Sequence, residues 1–359
     1  ATQLIPVATG LAHRSLWPTQ IAWWLFLPGT LIFLTGLNFS EQWIMQLGGL
    51  LTAAALLIFG FSIADLLRRS KVLKIPVRFA WLSMASLLVL VLLGLVLLEN
   101  FIHGFLPDHQ AIAASHVILA LYGFMGLLLM GFSNILVPMF ALSKSPPARN
   151  QQIAQWLAPI GLVLAVTGVL VNTEEIVGIA VVIGLIAVIL HIQGMLWCLN
   201  SGMRKNLGLS FVLVKAGWVM LIVSLIASGL LVFDLLGEQG PAIFGAIVLI
   251  GWLATFLLGI LQRIVPFLAA MNMSKKTKKP PRLSELGDET KLKLHAVCHG
   301  LAFVTITGGI ASDKSLPILL GAVIGAVGAL FFAWYVVAVA RSYMAYHRES
   351  EATGPVSGD

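Results

Sequence analysis

The sequence predicts an all-α, polytopic transmembrane bundle of about ten spans, and three observations carry that prediction. Ten apolar stretches, each of about 17 or more residues, are long enough to cross a hydrocarbon core of roughly 30 Å. The basic residues fall in every second loop: Arg68, Arg69, Lys71, Lys74 and Arg78; Lys144 and Arg149; Arg204 and Lys205; and the group from Lys275 to Lys293. The alternate loops hold Glu41, Glu99, Asp108, Glu174, Glu175, Asp234, Glu238 and Asp313, with Lys314 their only base. Composition agrees, because a 359-residue chain that is 59% hydrophobic and 10% charged has more apolar surface than a soluble domain can cover.

The positive-inside rule makes the basic loops cytoplasmic, which places both termini in the cytoplasm and makes the span count even. The net charge of +7 then reads as loops lying on anionic lipid headgroups, not as a nucleic-acid site. The two cysteines, Cys198 and Cys298, fall near cytoplasmic helix ends and suggest no disulfide framework. Residues 1–20 lack a basic region followed by an apolar core and a cleavage site, so no cleavable signal is expected.

The spans are expected near 20–37, 43–66, 78–99, 110–142, 153–172, 175–200, 208–235, 240–271, 291–312 and 316–342. Spans four and eight are long enough to project past the cytoplasmic face. The loop 272–290, with KKTKKPPR, reads as a solvated cytoplasmic hairpin, residues 1–350 as one transmembrane domain, and 351–359 as a disordered tail. Trp17, Trp43, Trp81, Trp156 and Tyr343 suit interfacial anchoring. Asp65 stands three and four residues before Arg68 and Arg69, a surface pairing geometry. Lys215 and Arg263 lie near helix ends, from which long side chains snorkel to the interface.

Internal repetition is the next signal. Setting Pro138 over Pro266 aligns Gly123 with Gly251, Phe124 with Trp252, Gly131 with Gly259, Asn134 with Gln262 and Val137 with Val265. A second pattern recurs three times: Ile21, Ala22, Trp24, Leu25 and Thr35-Gly36 match Ile153, Ala154, Trp156, Leu157 and Thr167-Gly168, with Thr307-Gly308 in the corresponding place. The expected organisation is two four-helix units, about 78–205 and 206–345, preceded by a helix pair at 20–66 that matches the second half of a unit. An even number of spans separates the copies, so they run parallel, unlike the inverted repeats common in secondary transporters.

Parallel four-helix units around a pseudo-threefold axis describe subunit I of the haem–copper oxidases. The segment SHVILALYGFMGLLLMGFSNILVPMF (115–140) resembles the histidine-bearing helix of that superfamily, which includes the smaller NnrS-type proteins linked to nitric oxide stress. The shared features are a histidine near the outer end, the Tyr122-Gly123-Phe124 step, a following glycine and a Val-Pro exit. The resemblance covers 78–342 as topology and only this segment as motif. It implies a haem-binding protein of the bacterial inner membrane, acting in respiratory electron transfer or nitric oxide handling beside other redox subunits, with His116 as an axial ligand of haem b. The departures are equally specific: Phe244 stands where His116 has its counterpart, span eight has no histidine, and no His-His pair occurs. A terminal oxidase with a binuclear haem–copper centre is therefore not supported.

Read from the residues alone, His116 is either a haem ligand or a packing histidine bonded to a neighbouring carbonyl or serine. His103, Asp108 and His109 are candidates for copper in the outer loop, or simply interfacial polar residues. His109 is about 10 Å from His116 along the helix, too far for both to hold one iron. Span nine opens with KLHAVCHG, which puts His295, Cys298 and His299 on one face, and His191 on span six should reach the depth of His299. Histidines at matched depth on two helices suit a bis-imidazole haem b; the i, i+4 pair with Cys298 suits copper or zinc; packing is the third reading. A cofactor-free scaffold subunit is the alternative from another functional class. A small-molecule transporter ranks below it, since few polar residues converge at mid-span.

Overall fold

The computed structural model describes residues 2, 4–71, 74–274 and 289–352, and every regular element among them is helical. Ten helices are long and apolar enough to cross a membrane: Trp17–Phe39, Gln42–Arg69, Ile75–His103, His109–Ala141, Ala148–Leu170, Glu174–Ser201, Leu209–Val232, Gly240–Met271, Glu289–Ala311 and Ser315–Tyr346. These are spans one to ten of a multi-pass membrane protein, and no end differs from its sequence expectation by more than five residues. The tenth helix continues to Ala352, two residues into the tail expected to be disordered from 351. Residues 353–359 and the expected hairpin around 275–288 lie outside the described residues.

Helix contacts divide the chain into two compact units, Ala1–Lys205 with spans one to six and Asn206–Asp359 with spans seven to ten. In the first unit a short helix, Leu4–Thr9, has no counterpart in the sequence expectations. It inserts Ile5 into the core formed by Ile63, Leu66, Leu87 and Leu90. Arg69 ties it down, pairing with Asp65 at 3.0 Å and donating from Nη2 to the Ala12 carbonyl at 3.3 Å. The expected Asp65 pairing thus also fixes the chain's entry into span one.

Three helical hairpins, spans one–two, five–six and nine–ten, turn in the same way. Each first helix ends at a residue in the left-handed region: Ser40 (φ 57°), Asn172 (φ 51°) and Asp313 (φ 51°). The next backbone N–H then reaches back to a glycine carbonyl, Glu41 to Gly36 at 2.9 Å, Thr173 to Gly168 at 2.8 Å and Lys314 to Gly309 at 2.9 Å. This is the Schellman closure, which satisfies carbonyls that a helix end otherwise leaves bare. The same three glycines let the second helix approach. A Cβ on Gly36 would strike the Met45 backbone, one on Gly168 would lie 2.9 Å from Val177 N, and one on Gly309 2.9 Å from Ile318 N. Two turns further from the loop the contact recurs at Gly29 with Thr52, Gly161 with Gly184 and Ala302 with Gly325. The third member of the set is therefore Gly309, one residue later than the Thr307-Gly308 pairing expected; a Cβ on Gly308 would meet nothing within 4 Å.

Spans four and eight share a second irregularity. Each contains a π-helical stretch, Leu119–Gly126 and Ile247–Ala254, offset by 128 residues, the spacing that sets Pro138 over Pro266. Glycines seat these helices on the preceding spans: Gly123 faces Ser86 and Gly131 faces Phe79 in the first unit, while Gly251 faces Met220 and Gly259 faces Leu213 in the second. A π-helical turn displaces carbonyls from the regular ladder. In the first unit Ser83 Oγ donates to Phe124 O at 2.7 Å, and in the second Thr255 Oγ1 donates to Ile250 O at 2.9 Å.

The hairpin geometry predicts a contrast within one dipeptide. Gly309→Ala should lower the thermal midpoint of the purified protein, by an overpacking cost of about 1–3 kcal/mol. Gly308→Ala should leave it unchanged or slightly higher, and equal losses from the two would contradict the contact pattern.

Candidate functional site

His116 lies one turn before the π-helical stretch of span four, on a helix whose N-terminus is capped by Asp108, which accepts from Ala111 N at 2.9 Å. Its ring is laid against span three at Gly94. A Cβ there would stand 3.0 Å from His116 Cε1, so a larger residue would push the imidazole by a few tenths of an ångström. The Leu90 backbone, one turn along span three, is its hydrogen-bond partner. Nδ1 is buried and makes no hydrogen bond of normal geometry. The ring borders a cavity of about 440 Å³ between spans one to four of the first unit, walled by side chains such as Phe33, Met45, Leu90, Leu98 and Phe101 and by Gly49 and Gly94.

His109 lines the same cavity. Asn100, buried near the C-terminal end of span three, orients it: Oδ1 accepts from Leu106 N at 2.6 Å, which turns Nδ2 to donate to His109 Nδ1 at 2.9 Å. An accepting Nδ1 puts the ring proton on Nε2. His103 pairs with Glu99 at 3.5 Å on an exposed surface. The three residues considered for outer-loop copper therefore each engage a different partner, and no group of three or more His, Cys, Asp or Glu side chains gathers among the described residues.

His191 is 1% exposed and is held twice by span five. Gln151 Oε1 accepts from its Nδ1 at 2.8 Å, and Gln151 Nε2 donates to its carbonyl at 3.1 Å. Gly194 admits the glutamine, since a Cβ there would collide with Nε2 of Gln151. The remaining ring nitrogen, Nε2, is buried without a partner, and the Phe79 ring stands edge-on with centroids 6.4 Å apart.

The second unit repeats that logic with other residues. His295 Nδ1 donates to the Gly328 carbonyl at 2.9 Å, and its Nε2 is buried without a partner. Its ring lies 5.1 Å from Phe332 and stacks on His299 at 6.0 Å and 29°. Thr255 spends its proton on the π-helical Ile250 carbonyl, so its oxygen accepts from His299 Nε2 at 2.7 Å. Cys298 stands on the same turn as the two histidines, where Gly328 lets span ten come close. His191 and His299, expected to oppose each other at matched depth, belong to different compact units, and each finds the partners described above within its own.

The sequence pointed to the histidines but not to what holds them. Gln151 and Gln155 are 0% and 3% exposed, one turn apart on span five, and Gln155 Nε2 donates to Ile75 O at 3.2 Å. Two glutamines on one face of a membrane helix are costly unless paired, and that was the available signal. The same argument applies to Gln262, 3% exposed with neither amide atom hydrogen-bonded, whose counterpart Asn134 bonds its own helix at Met130 O. No protein-family model and no curated protein sequence matches this chain.

Gln151→Leu strips two bonds from a buried histidine. It should destabilise the protein by about 2–4 kcal/mol, read as a lower thermal midpoint in detergent. An unchanged midpoint would mean that the glutamine clamp contributes nothing.

Proposed function

We propose that this chain is a haem-binding inner-membrane protein in respiratory electron transfer or nitric oxide handling, with b-type haem in the cavity of the first unit. The single observation that carries this reading is His116: a half-buried imidazole beside the Leu90 backbone, at the edge of a large apolar cavity and laid against a glycine. An imidazole in hydrocarbon needs partners for both ring nitrogens, and beside the Leu90 backbone a metal ion is one of the few that needs no proton donor.

The residues present fit the group. His116 would hold the iron through a ring nitrogen, with Leu90, Leu98 and Phe101 as an apolar wall and Gly49 and Gly94 giving clearance. His109, with its proton on Nε2 through Asn100, would offer a hydrogen-bond donor at the same cavity. A bound b-type haem supplies one-electron exchange and affinity for small gases such as nitric oxide. The chain's own part is to orient the imidazole, exclude water and keep the dielectric low. His191 and His295 also present unbonded nitrogens, but their rings are packed against Phe79 and Phe332. They are assigned here to the packing of each unit, leaving His116 as the ligand.

Two further features support the oxidase-like reading. The threefold recurrence of one hairpin and the matched π-helical stretches in spans four and eight suit parallel repeats derived by duplication. The alternation of basic and acidic loops favours cytoplasmic termini. Electrons would then be exchanged with a partner redox subunit or carrier.

The test separates a ligand from a packing residue. His116→Gly should lose haem on purification, and adding imidazole during reconstitution should restore the haem spectrum by refilling the vacated space. His191→Ala should keep wild-type haem content if it still folds. Wild-type haem content in His116→Gly without imidazole would overturn the assignment.

A further inference from the structure

The second unit contains a polar cavity that the haem reading does not use. It measures about 350 Å³ and is bordered by the start of span seven, the end of span eight, the start of span nine and Tyr335 of span ten. Its position at helix ends sets it at the level of lipid headgroups, away from the middle of a bilayer.

Its lining is unusual for a membrane protein in being polar, charged and incompletely satisfied. Gln262 lines it, is 3% exposed, and has both Nε2 and Oε1 buried without hydrogen-bond partners. Beside it Arg263 reaches the helix-end level: Nε donates to Ser210 Oγ at 3.1 Å and Nη2 to the Leu207 carbonyl. The guanidinium charge is thereby fixed at the wall. Tyr335 Oη donates to the Gln262 carbonyl at 3.2 Å, bracing the same turn. Lys293, with Glu289 3.8 Å away, stands exposed at the rim, so among the described residues the lining has two basic side chains and one acidic. Leu209, Leu292 and Pro266 complete the wall with apolar surface.

We infer that this cavity binds the headgroup of an anionic phospholipid that carries a free hydroxyl, the chemistry of phosphatidylglycerol. The unpaired amide specifies both functions. Nε2 lacks an acceptor, which a phosphate oxygen provides, and Oε1 lacks a donor, which a headgroup hydroxyl provides. Arg263 supplies the countercharge, as basic pockets between membrane helices do for lipid phosphates, and the apolar wall accommodates the glycerol and the first acyl carbons. A zwitterionic choline headgroup has the phosphate but no hydroxyl, and leaves Oε1 unsatisfied.

The full-length chain in detergent tests this through its thermal midpoint, titrated with short-chain phosphatidylglycerol, phosphatidylcholine of the same chain length, or inorganic phosphate. Phosphatidylglycerol should raise the midpoint saturably, by about 2 °C at ten times its Kd, and the other two should not. Gln262→Leu should abolish that rise while unfolding, without lipid, at or above the wild-type temperature, because it removes a buried polar group that has no partner. Equal shifts from the two lipids, no shift from either, or a full shift retained by Gln262→Leu would overturn the inference. A full shift from inorganic phosphate alone would overturn the lipid in favour of a soluble phosphate ligand.

Discussion

In a bilayer core there is no water to take a hydrogen bond, so every backbone polar group must find its partner inside the protein. That constraint forces the ten helices and decides where the chain can depart from them. The hairpin turns place residues in the left-handed region and close with a hydrogen bond to a glycine carbonyl. Where spans four and eight relax into a π-helical stretch, a hydroxyl repairs the ladder, Ser83 in one unit and Thr255 in the other. In the second case the repair reaches further, because Thr255 can then accept from His299. A local backbone irregularity thus becomes the orienting group of a histidine.

The same constraint separates the buried histidines. His191 and His295 each spend Nδ1–H on a fixed acceptor, a glutamine oxygen or a backbone carbonyl, and pack their rings on phenylalanine. Such fixed tautomers also occur in metal sites, where an outer partner aims the ligating nitrogen. What distinguishes His116 is its surroundings: a cavity at the edge of the ring, with Gly94 in the same lining. Geometry, more than the presence of a histidine, therefore selects the candidate ligand.

Much of the fold was legible in the sequence because its determinants are local. Length and apolarity marked the spans, and loop charge marked their alternation. The hairpin glycines were visible as Thr35-Gly36 and Thr167-Gly168, but the third copy was misjudged by one residue. Thr307-Gly308 preserves the dipeptide, while the close approach falls on Gly309, and only the facing helix reveals that. The helix Leu4–Thr9 was missed because six residues are too few to carry a period, and tertiary packing of Ile5 accounts for its place in the core. At the sites, His116, His191 and His295 stood out as polar groups in apolar runs. Their partners did not, because the Leu90 backbone, Gln151 and the Gly328 carbonyl come from other elements.

The central claim is that the first-unit cavity holds haem, and one measurement addresses it most directly: the reduced-minus-oxidised absorption spectrum of the purified wild-type chain, with haem quantified as the pyridine haemochrome. The account predicts a b-type Soret and α band at about one haem per chain, consistent with a single axial histidine at His116. A well-folded preparation from haem-replete cells that is colourless would contradict it, and would leave the helical scaffold to be explained by the subunits it assembles with.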